Sequence, residues 1–469
     1  MIKDVFMNEI LWEKVQRFNF DNATDEYGFS TRLALENHWT LFFTQSALLE
    51  YKKFMFLAAT SNEMVSPSEI VDIVWHQHLI FTNSYTDFCN LLGKRIEHIP
   101  STHNRDEFEK FQKAKERTKK LYEINFGIQP PEVWNYQNEL DSLQLEKSKF
   151  DISKLRKKFL QYSIFLSFPV CLLIFHVLIK IQNPDFLIGY ILLFGLTILL
   201  LEWYVKRSFD LFYEKIKSNP ILQNLSALEL VFFKEDKLEN VVHGVVNNLI
   251  QNKKIRILTN NRLELIDEEF VENQYENCVI EIMKEFKPMP YKQLCQAVMQ
   301  KPIFEQLQKA TYRIRERIIK SKEFAFVVIV VMITLGMFLT VIFSRFITGI
   351  WRDRPVTFLL FAIIPLVLIS IGYIDRVINL MFAKIIPSTI KKEIKNSEIE
   401  NNWEWNYFLY GSVVLSSFFV PLTNYNSNSF FTNNSSGSGS CGSSCGSSCG
   451  SSCGGGSSCG SSCGGCGGD

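Results

Sequence analysis

Four apolar runs decide most of what this chain can become. They cover residues 160–180, 186–205, 324–344 and 356–374, and each reaches the roughly 20 residues a helix needs to cross a bilayer. A backbone in lipid must satisfy its own hydrogen bonds, so helices are the only open-ended solution. A turn holding Asn183, Pro184 and Asp185 joins the first two runs, and the stretch from Arg345 to Pro355 joins the second two. The sequence therefore predicts two transmembrane helical hairpins, at 160–205 and 324–374.

Basic residues near the span ends set the expected orientation, because short cytoplasmic loops carry an excess of Lys and Arg. One side collects 18 of them, from Lys154, Arg156, Lys157 and Lys158 through Arg313 to Lys322 and on to Lys395; the other has Lys180, Arg345, Arg352 and Arg354. This bias predicts an integral membrane protein with the N-terminal domain, residues 206–322 and the segment after 376 in the cytoplasm. The first 20 residues lack a continuous apolar stretch, so no cleavable signal is expected. A fifth span is expected at 406–422 (NYFLYGSVVLSSFFVPL), preceded by an aromatic belt of Trp403, Trp405 and Tyr407. Crossing there would carry the C-terminus to the outer side; lying on the surface would leave it inside. Within the spans, His176 reads as a neutral group bonded to a neighbouring helix and Glu202 as a side chain reaching the interface.

The stretch VDIVWHQHLIF at 71–81 sets two histidines in an apolar run. Ser66 as N-cap, Pro67 at the first position and Glu69 completing a capping box predict a helix start. Helical spacing of Ile70, Val71, Ile73, Val74, Ile80, Phe81, Tyr85 and Phe88 extends it as one amphipathic helix over 67–90. Residues two apart on a helix point in nearly opposite directions, so His76 and His78 do not suit a shared metal. His78 falls on the apolar arc. His76 falls on the polar arc one turn from Asp72, a spacing that suits orientation of an imidazole. Four of the seven histidines, His76, His78, His98 and His103, lie between 76 and 103. A loop bearing His98 and His103 could fold back and join Asp72 and His76 in a zinc-like or polar site. Packing histidines are the plainer reading, since the spacing matches no familiar zinc pattern.

These residues also carry a resemblance. FSTRLALEN at 29–37, EYKKFMFLA at 50–58, SPSEIVDIVWHQHLIFTNSYTDFC at 66–89, HIPST at 98–102 and FGIQPPEVW at 126–134 resemble the N-terminal domain of the glycine-rich domain-containing proteins of plants and bacteria. The resemblance implies a helical domain over about 1–150 and brings no catalytic residue with it.

Between the hairpins, 206–322 reads as a cytoplasmic α+β insert. A capped helix starts near Ser226, a second covers about 238–252, and two short strands flank Asn260 and Asn261. Two helices followed by a hairpin form a winged-helix-like pattern. The order also resembles the cytoplasmic segment of bacterial membrane proteins with Gly/Cys/Ser-rich C-termini, although Lys234 to Lys237 replace the glycine pair expected there. The second helix has Glu239 and no basic residue before Lys253, which argues for a protein contact rather than DNA. Lys+Arg 50 against Asp+Glu 49 likewise gives no electrostatic case for nucleic acid.

From about 433 the chain is Gly, Ser and Cys, predicted to be a disordered tail because nothing in it can build a core. Cys441, Cys445, Cys449, Cys453, Cys459, Cys463 and Cys466 are soft ligands in a flexible setting, suited to metal capture or disulfide cross-linking. The other cysteines, Cys89, Cys171, Cys278 and Cys295, are scattered and read as packing thiols. Taken together, the sequence predicts a mainly α membrane-anchored binding or scaffold protein without catalysis, contacting the bilayer and a protein partner. The alternatives are a metal-dependent enzyme with a His/Asp site in the N-terminal domain, and metal or redox handling through the tail.

Overall fold

The computed structural model describes residues 9–22, 25–99, 105–286, 288–394, 402–423 and 466–467. The N-terminal domain contains α1 (Glu9–Arg17), α2 (Phe29–Asn37), α3 (Leu41–Thr60), α4 (Glu69–Ile80), α5 (Thr82–Leu92), strand β1 (Glu97–His98), α6 (Arg105–Phe126) and α7 (Pro131–Trp134). Helix α3 is its centre, with Phe43, Tyr51, Phe54 and Met55 fully buried and α1, α2, α4, α6 and α7 packed around it. Two buried carboxylates meet at its N-terminus. Glu139 accepts from the Thr40 N–H at 3.2 Å and its hydroxyl at 2.8 Å, and Glu229 accepts from the Leu41 N–H at 3.2 Å. The positive end of a helix favours negative charge there, yet burial pushes the Glu139 carboxyl up to about 7.

The first hairpin is α8 (Ile152–Lys180) and α9 (Asn183–Ile216). The insert follows as α10 (Pro220–Gln223), α11 (Ala227–Glu235), α12 (Leu238–Gln251), β2 (Ile255–Ile257), β3 (Arg262–Leu265), α13 (Gln274–Glu285), β4 (Met289–Pro290), α14 (Tyr291–Met299) and α15 (Pro302–Ile319). The second hairpin is α16 (Lys322–Trp351) and α17 (Thr357–Leu380), continued through a π turn at Met381–Ile385 into α18 (Ile386–Glu393) and, later, α19 (Trp403–Tyr410).

Among the described residues, four helices are long and apolar enough to cross a membrane, α8, α9, α16 and α17 with α18. They outrun the apolar segments: α9 has 34 residues, about 51 Å at 1.5 Å per residue, against a hydrocarbon core of about 30 Å. The tightest packing is between α8 and α16. Ser163 and Ser167 face Gly336, Thr340 and Ser344, all four residues apart, and the Thr340 and Ser344 hydroxyls donate to the Ser163 and Ser167 carbonyls at 3.3 and 2.9 Å. In lipid no hydrophobic force drives helices together, so small side chains that admit close approach and cross-helix hydrogen bonds take over.

At the basic end of the bundle, Arg156 pairs with Asp375 at 2.7 Å, Arg376 with Glu202 at 2.6 Å and Lys215 with Glu323 at 2.6 Å. Glu202 is thus held by an arginine of α17 rather than simply reaching for water. His176 departs from its expectation. It lies on the outward face of α8 one turn from Lys180, beside the Phe175 ring at 6.1 Å, and not against a neighbouring helix.

The insert begins with a capping box: Ser226 Oγ accepts from the Glu229 N–H and Glu229 accepts from the Ser226 N–H, at 3.2 and 2.8 Å. Helices α11 and α12 are followed by an antiparallel sheet of order β2-β3-β4. Where the glycine pair was expected, Asp236 takes a left-handed conformation (φ 57°) at the end of α11, a role Asp tolerates better than most side chains.

Residues 406–422, expected as a fifth span, do not form one continuous helix. Helix α19 stops at Tyr410, Gly411 takes φ 58°, and the segment continues as a 3-10 turn at Gly411–Val414. It packs on the insert instead. Tyr407 donates to the Asn240 carbonyl at 2.7 Å, and the Ser416 N–H donates to Asn247 at 2.8 Å. The Ser416 hydroxyl also donates to Asn247, at 2.9 Å, so this segment forms a lid over α12.

The insert and N-terminal domain are also bound to each other. Gln306 donates to the Trp39 carbonyl at 2.7 Å, Arg313 to the Asn37 carbonyl, and Lys301 pairs with Glu26 at 2.8 Å.

Candidate functional site

The helix carrying the two histidines starts later and ends earlier than its periodicity suggests. Ser68, not Ser66, caps it by accepting from the Val71 N–H at 3.2 Å. Ser66 is instead tied to Thr118 of α6, its N–H donating to the hydroxyl at 2.8 Å. The single helix expected over 67–90 breaks at Phe81 (ψ 63°), whose N–H bonds to the His78 carbonyl at 3.0 Å. The break lets Ser84 come back to His78.

His78 is fully buried. Its Nδ1 lies 2.9 Å from the Tyr51 hydroxyl and its Nε2 3.1 Å from Ser84 Oγ, among the rings of Phe20, Phe29, Tyr85 and Phe88. Burial holds its pKa down at about 4. With both nitrogens engaged inside an aromatic cage, His78 is a packing histidine.

His76 points the other way. Its Nδ1 lies 3.2 Å from Asp72 Oδ2 one turn earlier. Asp72 itself is buried, 7% exposed, although it sits on the more polar arc. What covers it is His98. Gly93 ends α5 with φ 73°, turning the chain back toward α4. The Tyr85 hydroxyl then accepts from Trp75 Nε1 at 3.2 Å and donates to the Ile96 carbonyl. Two residues on, His98 lies across the Trp75 ring, centroids 4.5 Å apart, with Nε2 3.0 Å from Asp72 Oδ1.

The His76 and His98 rings are then 4.4 Å apart, one half-exposed and the other nearly covered. One ligand atom from each of Asp72, His76 and His98 lies within 4.8 Å of the other two. His78 takes no part. His103 and Cys441 to Cys463 lie outside the described residues. The backbone of Cys466–Gly467 (β5) runs antiparallel to β1, with Cys466 opposite His98.

Two chemistries fit this arrangement. Asp72 can serve as the acceptor for two imidazole N–H groups. Alternatively a divalent ion can replace those two protons. Around a tetrahedral ion with bonds of about 2.0–2.2 Å, neighbouring donor atoms stand roughly 3.3–3.5 Å apart. The two nitrogen–oxygen separations, 3.2 and 3.0 Å, run to opposite oxygens of the Asp72 carboxylate, and one donor atom of each residue lies within 4.8 Å of the other two. The half-exposed His76 leaves further coordination positions on the solvent side.

Sequence reasoning named Tyr85 only for its helical spacing and did not single out Trp75 or Ile96; together the three position His98. Their roles rest on one tyrosine hydroxyl in an apolar run, a signal shared with any buried tyrosine. It also missed a second polar cluster, where Glu50 accepts from Tyr122 and Trp134, both at 2.7 Å, and pairs with Lys53 at 2.8 Å. That cluster ties α3 to α6 and α7, and all its members are engaged with one another.

The family described as UCP032817-like matches residues 17–128, which contain α2 to α6 and the whole Asp72–His76–His98 group. Over 91 residues the chain is 31% identical to Glycine-rich domain-containing protein 1 of Arabidopsis thaliana, a match that covers 18% of this chain and 11% of that protein. The resemblance is a loose one, confined to the N-terminal domain. No solved structure matches the chain.

Proposed function

We propose that this is a membrane-anchored metal-binding protein whose N-terminal domain holds a divalent transition-metal ion between Asp72, His76 and His98. The observation that carries the reading is the convergence of two imidazole nitrogens on one buried carboxylate, from elements 26 residues apart. Imidazole with carboxylate suits zinc and its neighbours in the first transition row better than calcium or magnesium. The proposal assigns no reaction to the site.

Metal content of the full chain, purified in detergent, tests it. Wild-type protein should carry one more equivalent of zinc or a similar ion than His98→Ala or Asp72→Asn. The tail cysteines are present in all three proteins and cancel from the comparison. Equal metal content in the three would refute the site.

The same proposal places the N-terminal domain and the insert on the cytoplasmic side of a bacterial inner membrane. Its support is the lysine and arginine excess at the end of the bundle to which both attach. Protease added to intact spheroplasts should leave 9–150 and 206–322 uncut; cleavage in either would reverse the orientation. The contact between the insert and α2 makes one water-exposed body, a surface suited to a protein partner.

A further inference from the structure

The two strands of chain that enter α8 and α16 are strapped together just outside the bundle. The Ser148 N–H donates to the Lys320 carbonyl and the Lys322 N–H to the Glu146 carbonyl, both at 2.8 Å, with Lys147 opposite Ser321. Beside this strap the 147–153 linker and α15 enclose a cavity of about 660 Å³. Lys147 and Lys320 also line an adjoining cavity of about 250 Å³. Lys147, Lys149, Arg315 and Lys320 all line the larger one.

The acids in its wall are already committed. Asp151 caps α8 by accepting from the Ser153 and Lys154 N–H groups, Asp236 pairs with Arg315 at 2.5 Å, and Glu316 pairs with Lys320. Among the described residues, neither Lys147 nor Lys149 pairs with a carboxylate. Arg315 is more than nine-tenths buried, with Nη1 on Asp236 and Nη2 donating to Asn379 at 3.2 Å. Arg317, at the adjoining cavity, pairs with Asp141 at 3.5 Å. The cations of the larger cavity left without a carboxylate are therefore Lys147 and Lys149.

We propose that this cavity is a headgroup site for an anionic phospholipid, its phosphate held by Lys147 and Lys149. The shared chemistry is a phosphate oxyanion, which a free phosphate also offers. Two features favour the lipid. The cavity sits where α8 and α16 begin, just before their apolar runs. It is also edged by Phe150, an apolar side chain left 61% exposed beside the cations. Basic pockets at membrane-helix ends attract anionic headgroups by Coulomb forces, an attraction that fades within a Debye length.

The test uses the full chain, delipidated in a neutral detergent, with thermal unfolding as readout. Micelles doped with phosphatidylglycerol should raise the melting temperature, and phosphatidylcholine at the same mole fraction should not. Inorganic phosphate at matching concentration should leave it unchanged. Lys147→Gln/Lys149→Gln should weaken the phosphatidylglycerol effect roughly thirtyfold in apparent affinity while melting normally without lipid. Lys157→Gln/Lys158→Gln removes the same charge from an exposed face of α8 and should retain the full effect. An equal response to phosphatidylcholine, an equal response to inorganic phosphate, or equal weakening in both double variants would overturn the headgroup site.

Discussion

The Tyr85 hydroxyl donates to the Ile96 carbonyl, and that bond fixes where His98 stands. Tyr85 is held in turn by Trp75, whose ring His98 covers. Tyr85→Phe removes the anchor while keeping the ring. We expect metal affinity at Asp72, His76 and His98 to fall about 10- to 100-fold, the usual effect of losing an outer-shell partner. The domain should lose about 1–3 kcal/mol as the Ile96 carbonyl is left buried and unpaired. Chelator competition, with the tail cysteines replaced by serine, measures the first. Unchanged affinity would mean that β1 keeps its place without Tyr85.

His78 should make stability depend on pH. Burial lowers its pKa to about 4, and burial with the nearby Lys237 charge lowers His243 to about 4 as well. The unfolded chain titrates these groups near 6.5. Between those values the unfolded state binds more protons, so stability is fully present above about pH 6.5 and is lost as pH falls toward 4. Each unit of separation is worth about 1.4 kcal/mol. Melting curves from pH 7.5 to 5 should show the decline, and His78→Gln should flatten it. In metal-free protein His78→Ala should also destabilise by about 1–3 kcal/mol, against a change within about 0.5 kcal/mol for the half-exposed His76→Ala. A pH slope identical in wild type and His78→Gln would show that His78 does not titrate on unfolding.

The parts of the molecule readable in the sequence are those governed by one-dimensional rules. The bilayer demands long apolar runs, so the four spans stand out. Helical period alone puts Asp72 one turn from His76 and turns His78 to the opposite face. The break at Phe81 was not readable, because it depends on Ser84 reaching a histidine already fixed by Tyr51 across the core. Nor was the partnership of α8 with α16. Ser163, Ser167, Thr340 and Ser344 lie within apolar runs where small residues look incidental, and only pairing in space gives them meaning. The segment 406–422 was misread for a related reason. Apolar residues that cover α12 and apolar residues that cross lipid have the same composition, and the positive φ at Gly411 is invisible in a hydropathy profile.

That seam between α8 and α16 should tolerate little. Ser344→Ala removes one interhelical hydrogen bond, worth about 0.6 kcal/mol on average in a membrane bundle. Ser344→Leu forces the backbones apart and should cost about 1–3 kcal/mol. Thermal unfolding in detergent should therefore rank wild type above Ala and Ala well above Leu. A leucine variant as stable as wild type would show that the helices are not in close contact at this level.

Gly244 offers a test of the lid over α12. A Cβ there would stand 2.6 Å from Tyr407 Cδ1, closer than real contacts allow. In an unencumbered helix Gly→Ala gains about 1 kcal/mol. Here the ring must leave, taking with it the hydrogen bond to Asn240. Gly244→Ala should therefore expose 402–423 to limited proteolysis with little change in the bundle. Undiminished protection together with a higher melting temperature would show that Tyr407 does not rest on α12.

The same lid bears on the proposed topology of the tail. Residues 402–423 lie against the insert, bonded to Asn240, Asn247 and Asn273, and the backbone of Cys466 pairs with that of His98. Among the described residues the apolar helices long enough to cross a membrane number four, an even number, so the proposed orientation puts the tail on the same side as the insert. With the insert in the cytoplasm, Cys441 to Cys466 would be reduced thiols available to soft metals rather than persistent disulfides. A membrane-impermeant maleimide applied to spheroplasts should leave all seven tail cysteines unlabelled. Lysis of the inner membrane should then expose them together, with the buried Cys89, Cys278 and Cys295 staying protected. Labelling of the tail on intact spheroplasts would mean either that 406–422 crosses after all or that the whole molecule is inverted. Protease accessibility of the insert in the same preparation separates the two, because only inversion exposes it.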